Sequence, residues 1–217
     1  MRTRKEWKSR VSHAKRAKGH GAALVTIKLM PGLPSLRTPR AGRLIEEVLH
    51  AANDRLGMRI CHYGVISNHM HLLVDADNAE SLSRAMQGFN IRLAKALNKL
   101  WHRRGKVFRD RFHAKWAKGV NSIRRAARYV MQNARRHGLH VPAGQPDKYS
   151  SGLWFPWLED DVCRPDRPSP VVPPREFSWM WAALRSSWRI SIHSRPGELL
   201  TWGLAAPIPV ESVRPGR

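Results

Sequence analysis

Cysteine and long apolar runs are scarce in this 217-residue chain, and acidic residues are few beside its basic ones. The two cysteines, Cys61 and Cys163, lie far apart, one in a strand-like run and one among prolines. That placement argues against a disulfide, and two thiols are too few for a cysteine zinc site. No stretch approaches the roughly 20 apolar residues that a membrane span needs. The basic N-terminal stretch also has no apolar centre of the signal-peptide kind, so a cytoplasmic protein without membrane attachment is expected. Acidic side chains number 16 against 39 Lys and Arg, for a net charge of +23. Charge on that scale repels itself and calls for a polyanionic partner, and nucleic acid leads because phosphates draw directly on Lys and Arg. No long basic amphipathic helix with an aromatic face favours a membrane surface instead.

The length fits one good-sized domain with extensions. Residues 1–20 form a basic arm with little hydrophobic pattern, expected to track phosphates. Residues 21–140 carry the regular patterning of a folded domain. A strand is predicted over 22–29, then a break at Pro31-Gly32-Leu33-Pro34, then a helix over 40–56 with Leu44, Ile45, Val48, Leu49 and Ala52 at helical spacing. Two strands follow over 58–66 and 69–75, joined tightly at Ser67-Asn68. Asp77 or Asn78 caps the next helix, whose Leu82, Met86, Phe89, Leu93, Leu97 and Leu100 make one core stripe. Residues 107–117 read as extended, and Asn121 or Ser122 caps a last helix that stops at Gly138. The order predicts an α+β protein: a ferredoxin-like βαββαβ core with an additional C-terminal helix. Two helices cover one face of the sheet, leaving the other for a ligand or a further layer. Residues 141–176 are proline-rich and read as a linker or wrap, residues 177–192 as a short tryptophan-rich helix, and residues 193–217 as a disordered tail.

The chemistry concentrates in two places. In Asn68-His69-Met70-His71-Leu72-Leu73, residues i and i+2 of a strand share a face, so both imidazoles project together at a spacing that suits one metal ion. Two surface histidines on a half-exposed strand is the plainer alternative. On the last helix Ile123, Ala127, Val130 and Ala134 form the apolar stripe. Tyr129 and Asn133, at i and i+4, stack beside that stripe with Arg136 nearby, while Gln132 points away from it. A phenol, a carboxamide and a guanidinium thus gather where the helix meets the sheet. His62 and His113 read as structural histidines.

These residues, with Tyr129-Val130-Met131-Gln132-Asn133-Ala134-Arg135, Gly105-Lys106-Val107-Phe108-Arg109-Asp110-Arg111-Phe112-His113 and Pro31-Gly32-Leu33-Pro34-Ser35-Leu36-Arg37, resemble the single-tyrosine HUH transposases. That is the insertion-sequence-200-like group, with its REP-associated members. The resemblance covers residues 22–139. It implies a nuclease that cuts and rejoins single-stranded DNA, with Tyr129 as nucleophile and His69 and His71 as metal ligands. Asn133, one turn after the tyrosine, fits the family's third ligand position. The implied cofactor is Mg²⁺ or Mn²⁺, acting as a Lewis acid on the scissile phosphate. A phenol with an ordinary pKa of about 10 needs help to attack, and nearby positive charge supplies it. The implied product is a 5′-phosphotyrosine link with a free 3′-hydroxyl, which stores the bond energy for rejoining. DNA with hairpin ends and a homodimeric assembly are the implied partners, with Tyr129 working in cis or in trans. Arg84, Arg92, Lys95, Arg124, Arg125, Arg128, Arg135 and Arg136 are candidate phosphate contacts, persuasive only as an aggregate.

Three other readings compete. A nuclease-dead DNA-binding relative would be expected to have lost part of the His69, His71, Tyr129 and Asn133 set. An RNA-binding module on the same topology calls for adjacent exposed aromatics on the sheet, where this chain has His-x-His. Relaxases and replication initiators are longer chains with further regions.

Overall fold

The computed structural model describes residues 19–155, 165–176 and 178–185. Most of the basic arm, part of the proline-rich region and the C-terminal tail lie outside these residues. Four strands, β1 (Gly21–Lys28), β2 (Met58–Val65), β3 (His69–Ala76) and β4 (His113–Trp116), form one antiparallel sheet in the order β2-β3-β1-β4. This is the ferredoxin-like order. Among the described residues four α-helices accompany them: α1 (Pro39–Ala52), α2 (Ala79–Leu100), α3 (Gly119–Arg136) and α4 (Trp179–Arg185).

Alternation along the strands builds two cores. Ala23, Val25 and Ile27 of β1 and Met70, Leu72 and Val74 of β3 pack with Ile45 and Leu49 of α1 and Met86, Phe89 and Leu93 of α2. Ala22 and Leu73, on the opposite face, pack with Ile123, Ala127 and Val130 of α3 and with Met180 and Leu184 of α4. The second sheet face is therefore occupied by a helical layer, which α3 supplies. Strand β2 changes parity on the way: pairing with β3 shifts register between Ile60 and His62, a bulge at Cys61. Met58 and Ile60 face the α1/α2 core before the bulge, and Tyr63 and Val65 face it afterwards. The bulge thereby turns Gly64 rather than Tyr63 toward α3.

Element ends depart from the periodicity in three places. Helix α1 is capped by Thr38, whose side chain accepts from Ala41 N, but it stops at Ala52 rather than at residue 56. Asn53 turns its amide onto β2 instead, accepting from Ile60 N at 2.8 Å and donating to Ile60 O at 3.2 Å. The chain then turns through left-handed Asp54, Leu56 and Gly57 (φ 50, 53 and 73°). At the other sheet edge, Phe108 bridges Leu29 and Arg109 N donates to Lys28 O, but the chain then loops away and pairs with β1 again only from His113. Helix α3 begins at Gly119, two residues before the predicted cap, with Lys118 at its N-cap and no side-chain cap bond. Asn78 caps α2, accepting from Glu80 N and Ser81 N.

Two described parts of the proline-rich region lie along the β2 edge. Val65 N donates to Tyr149 O at 2.9 Å, Gly64 bridges Ser150, and Val172 N donates to Ile60 O at 3.2 Å. Arg37 anchors this wrap, pairing both guanidinium nitrogens with Asp147 at 2.7 and 2.8 Å and reaching Val65 O at 2.7 Å. Covering an edge strand in this way removes a template for unwanted pairing. Among the described residues no helix is long and apolar enough to cross a membrane.

Candidate active site

The site is a row across the sheet with α3 laid over it. His71 pairs with Gly64 of β2 on one side and with Thr26 of β1 on the other, and Thr26 pairs with His113 of β4. Paired residues of an antiparallel ladder share a face, so this row looks toward α3. Gly64 is what allows the helix to come down. A Cβ at this position would sit 2.1 Å from Val130 O, so the backbone of α3 occupies the space that any other side chain would need. Val130 is the neighbour of Tyr129. The close approach at Gly64 and the reach of Tyr129 to His71, its cross-strand partner, are therefore one feature of the packing.

Both imidazoles are oriented through Nδ1. His71 Nδ1 lies 2.9 Å from Thr26 Oγ1, and His69 Nδ1 lies 2.8 Å from Asn68 Oδ1. An amide oxygen only accepts, so His69 carries its proton on Nδ1 and leaves the Nε2 lone pair open. The Thr26 hydroxyl accommodates the same tautomer of His71. An oxygen acceptor on the far nitrogen is how metal-ligating imidazoles are held. Burial pushes His71 down to about 3, with His69 and His137 adding to the effect. Burial, then His137 and Lys28, push His69 down to about 4. Both rings are neutral at neutral pH, the form that ligates metal.

Helix α3 brings three groups to these rings. Tyr129 Oη is 3.3 Å from His71 Nε2, with ring centroids 4.9 Å apart. The Arg136 guanidinium lies 5.5 Å from the centroid of the Tyr129 ring. His137, just past the helix end, puts its ring 5.1 Å from that of His69. Asn133 falls between Tyr129 and His137 on the same helical stripe. It is fully buried, and neither its Oδ1 nor its Nδ2 has a hydrogen-bond partner. A buried amide left without partners costs about 1–3 kcal/mol. A buried carboxamide without partners on the helix that carries Tyr129, together with two neutral imidazoles on one face of β3, is by donor chemistry the kind of set that suits a divalent ion. Among the described residues no group of three or more His, Cys, Asp and Glu side chains is placed to hold a metal ion.

The other expected residues scatter. Arg84, Arg92 and Lys95 are exposed on α2, across the sheet from the histidines. Arg124 is spent on structure: its Nε donates to Ala183 O at 2.9 Å, holding α4, and burial lowers its pKa. Arg135 donates to Gln145 O at 2.6 Å, at the base of the wrap. Arg128 is half-buried and Arg125 exposed on α3, and Arg136 is placed at Tyr129. Gln132, expected to point away from the apolar stripe, is buried. Sequence reasoning missed Thr26, Asn68 and Gly64, and also Lys28 and Lys115, exposed cations on the site face of β1 and β4. Strand pairing was the signal for the first of these: an antiparallel neighbour of an HxH strand with a hydroxyl in register can hold an imidazole. His113, set aside as structural, is exposed beside Thr26, whereas His62 is buried against Ser151 Oγ at 3.2 Å.

Comparison with known proteins agrees with this architecture. Residues 36–133 match the family described as IS200-like transposases. A solved structure of a REP-associated tyrosine transposase bound to a REP hairpin aligns with a TM-score of 0.52 at 15% identity, over 64% of this chain and 82% of that one. At that identity the likeness is one of fold. No curated protein matches.

Proposed function

This chain carries, over residues 36–133, a transposase domain of the IS200-like family, and from that premise we propose that it cleaves and rejoins single-stranded DNA through a covalent link to Tyr129. The observation that carries the reading is the meeting of Tyr129 Oη with His71 Nε2 at 3.3 Å. Of the chain's three tyrosines, Tyr63 is buried and bonded to Glu46, and Tyr149 stacks on Arg37, which leaves Tyr129 for chemistry.

In the proposed step the phenol loses its proton, the Oη–P bond forms, and the P–O3′ bond breaks as the 3′ oxygen takes up a proton. The products are a 5′-phosphotyrosine and a free 3′-hydroxyl. Another 3′-hydroxyl can reverse the step on the same or a different strand. His69, His71 and Asn133 would hold Mg²⁺ or Mn²⁺, which neutralises charge on the scissile phosphate when bound. Thr26 and Asn68 fix the two rings so that no reorientation is needed during reaction. Arg136 places positive charge over the Tyr129 ring, beside the position the scissile phosphate would take. Because Tyr129 and the histidines meet within one chain, we read the attack as occurring in cis. The hairpin named for the solved relative, together with the charge of +23, supports hairpin-ended DNA as the substrate.

The test is a denaturing gel of protein mixed with single-stranded hairpin oligonucleotides from the gene's own flanks, with Mg²⁺ or Mn²⁺. Wild type should give a metal-dependent covalent band that Tyr129→Phe and the double variant His69→Ala/His71→Ala both lack. Tight binding with no covalent band across many flank sequences would instead indicate a DNA-binding protein that does not cut.

A further inference from the structure

The site face of the sheet does not end at the histidines. Gly64 lets α3 settle over β2, so Tyr129 comes to His71 from that side. Beyond His71 lie Thr26 of β1 and His113 of β4, in one row and on the same face. Strand alternation sets Lys115, opposite Leu24, and Lys28, opposite His69, on this face as well. Lys28, His113 and Lys115 are exposed, whereas Ala114 and Trp116 of β4 pack on the α1/α2 core. Among the described residues none of these three side chains makes an ion pair or a hydrogen bond. Arg124 and Arg135, by contrast, are tied to backbone carbonyls. His113 and Lys115 stand roughly 6.7 Å apart along β4, a step that an extended single strand can match from phosphate to phosphate. Lys28 continues the line onto β1, on the diagonal from His113. The plainer role for a lysine here is to guard an edge strand against unwanted pairing. That role serves Lys115 but not Lys28, which stands on an inner strand.

In-line displacement sets the attacking and departing oxygens on opposite sides of the phosphorus. With Tyr129 attacking from the β2 side, the 3′ oxygen departs toward β1 and β4. We propose that Lys28, His113 and Lys115 hold the DNA fragment that ends in the new 3′-hydroxyl and keep it at the site until it is rejoined. This rests on the tyrosine chemistry proposed above. The two halves of the cut strand are held differently. One is bonded to Tyr129 and cannot leave. The other has only noncovalent contacts, and its escape strands the phosphotyrosine. Ammonium groups and an imidazole N–H bind phosphate oxygens without reading bases, which suits retention of a fragment whatever its sequence.

The test is a single-turnover reaction of the full chain on a hairpin oligonucleotide labelled at its 5′ end, which marks the fragment that departs with the 3′-hydroxyl. Adduct formation is read on a denaturing gel, fragment release by fluorescence anisotropy, and rejoining by recovery of full-length strand. The variants are His113→Ala/Lys115→Ala, the conservative pair His113→Gln/Lys115→Arg, and Lys99→Ala, which removes an exposed cation from α2 on the far side of the sheet. Each is checked for an unchanged thermal melt, and Lys28 is left in place because it stands beside His69. The alanine pair should release the fragment about 10-fold faster, a larger change than in its rate of adduct formation, and rejoin correspondingly less. The conservative pair should recover most of the retention, and Lys99→Ala should release the fragment at the wild-type rate. Wild-type release and rejoining in the alanine pair would overturn the proposal and leave the tyrosine chemistry standing. Equally fast release from Lys99→Ala would overturn it too, since bulk charge rather than this face would then hold the fragment. Absence of any adduct from the wild-type chain would overturn both.

Discussion

Replacing Gly64 with alanine should separate the tyrosine from the histidines while leaving every reactive group in place. The added Cβ would stand 2.1 Å from Val130 O and 3.2 Å from Val130 C. Backbone has no rotamer with which to yield, so α3 must lift from β2 by roughly 1 Å, and overpacking of this kind costs about 1–3 kcal/mol. In a chain of this size that lowers the melting temperature by about 2–4 °C per kcal/mol. Tyr129 is adjacent to Val130, and its Oη now stands 3.3 Å from His71 Nε2. A 1 Å displacement of a positioned group costs about 10²-fold in rate. The assay is the rate of covalent adduct formation on a hairpin substrate, read beside a thermal melt and a DNA-binding isotherm. The expected result is a roughly hundredfold slower adduct with DNA affinity nearly unchanged. Gly88→Ala on α2 is the control, because the nearest atom to its new Cβ is an Arg92 guanidinium nitrogen at 3.6 Å. It should react at the wild-type rate and be slightly more stable, since alanine is the better helix former. Adduct formation at the wild-type rate by Gly64→Ala would refute the link between α3 docking and Tyr129 placement.

Three further outcomes are expected. If attack is in cis, mixing Tyr129→Phe with His69→Ala/His71→Ala should restore no adduct; restored activity would require a site shared between two chains. Burial lowers His62 to about 4, so between an unfolded value near 6.5 and about 4 the unfolded chain takes up a proton first and stability falls as pH falls. His62→Gln should flatten that slope in urea-unfolding series, by on the order of 3 kcal/mol at its acid end, and leave stability above pH 7 free of this titration; an identical slope in the variant would disprove it. Arg37→Ala leaves the buried Asp147 carboxylate unpaired and frees the wrap from β2, a loss of about 3–5 kcal/mol, so hydrogen exchange at Val65 should accelerate strongly. Unchanged protection there would show that the wrap is held by other contacts.

Strand alternation and helical spacing made much of this site legible in advance. Residues i and i+2 of β3 had to share a face, and i and i+4 of α3 had to share a stripe. What periodicity could not supply was register between elements that are distant in sequence. Thr26 orients His71 only because β1 and β3 pair with these residues opposite each other. Gly64 faces α3 only because of the bulge at Cys61, and a bulge leaves no mark in a hydrophobic pattern. The end of α1 was misjudged because apolar spacing continues to Leu56, yet Asn53 gains more by bonding both polar groups of Ile60, and Leu56 is left 53% exposed. The cations were the least legible. Arginines on α2 and α3 are alike in sequence, and only packing separates Arg124 and Arg135, which bind backbone carbonyls, from Arg136, which lies over Tyr129.

The most direct measurement is to trap the covalent complex, trim the DNA with nuclease and map the modified peptide by mass spectrometry. A tyrosine transesterase working from this site predicts a single nucleotide-bearing peptide, with the 5′-phosphate on Tyr129. A modification on Tyr63, Tyr149 or any other side chain would contradict it, as would DNA cleavage with no protein-linked nucleotide at all.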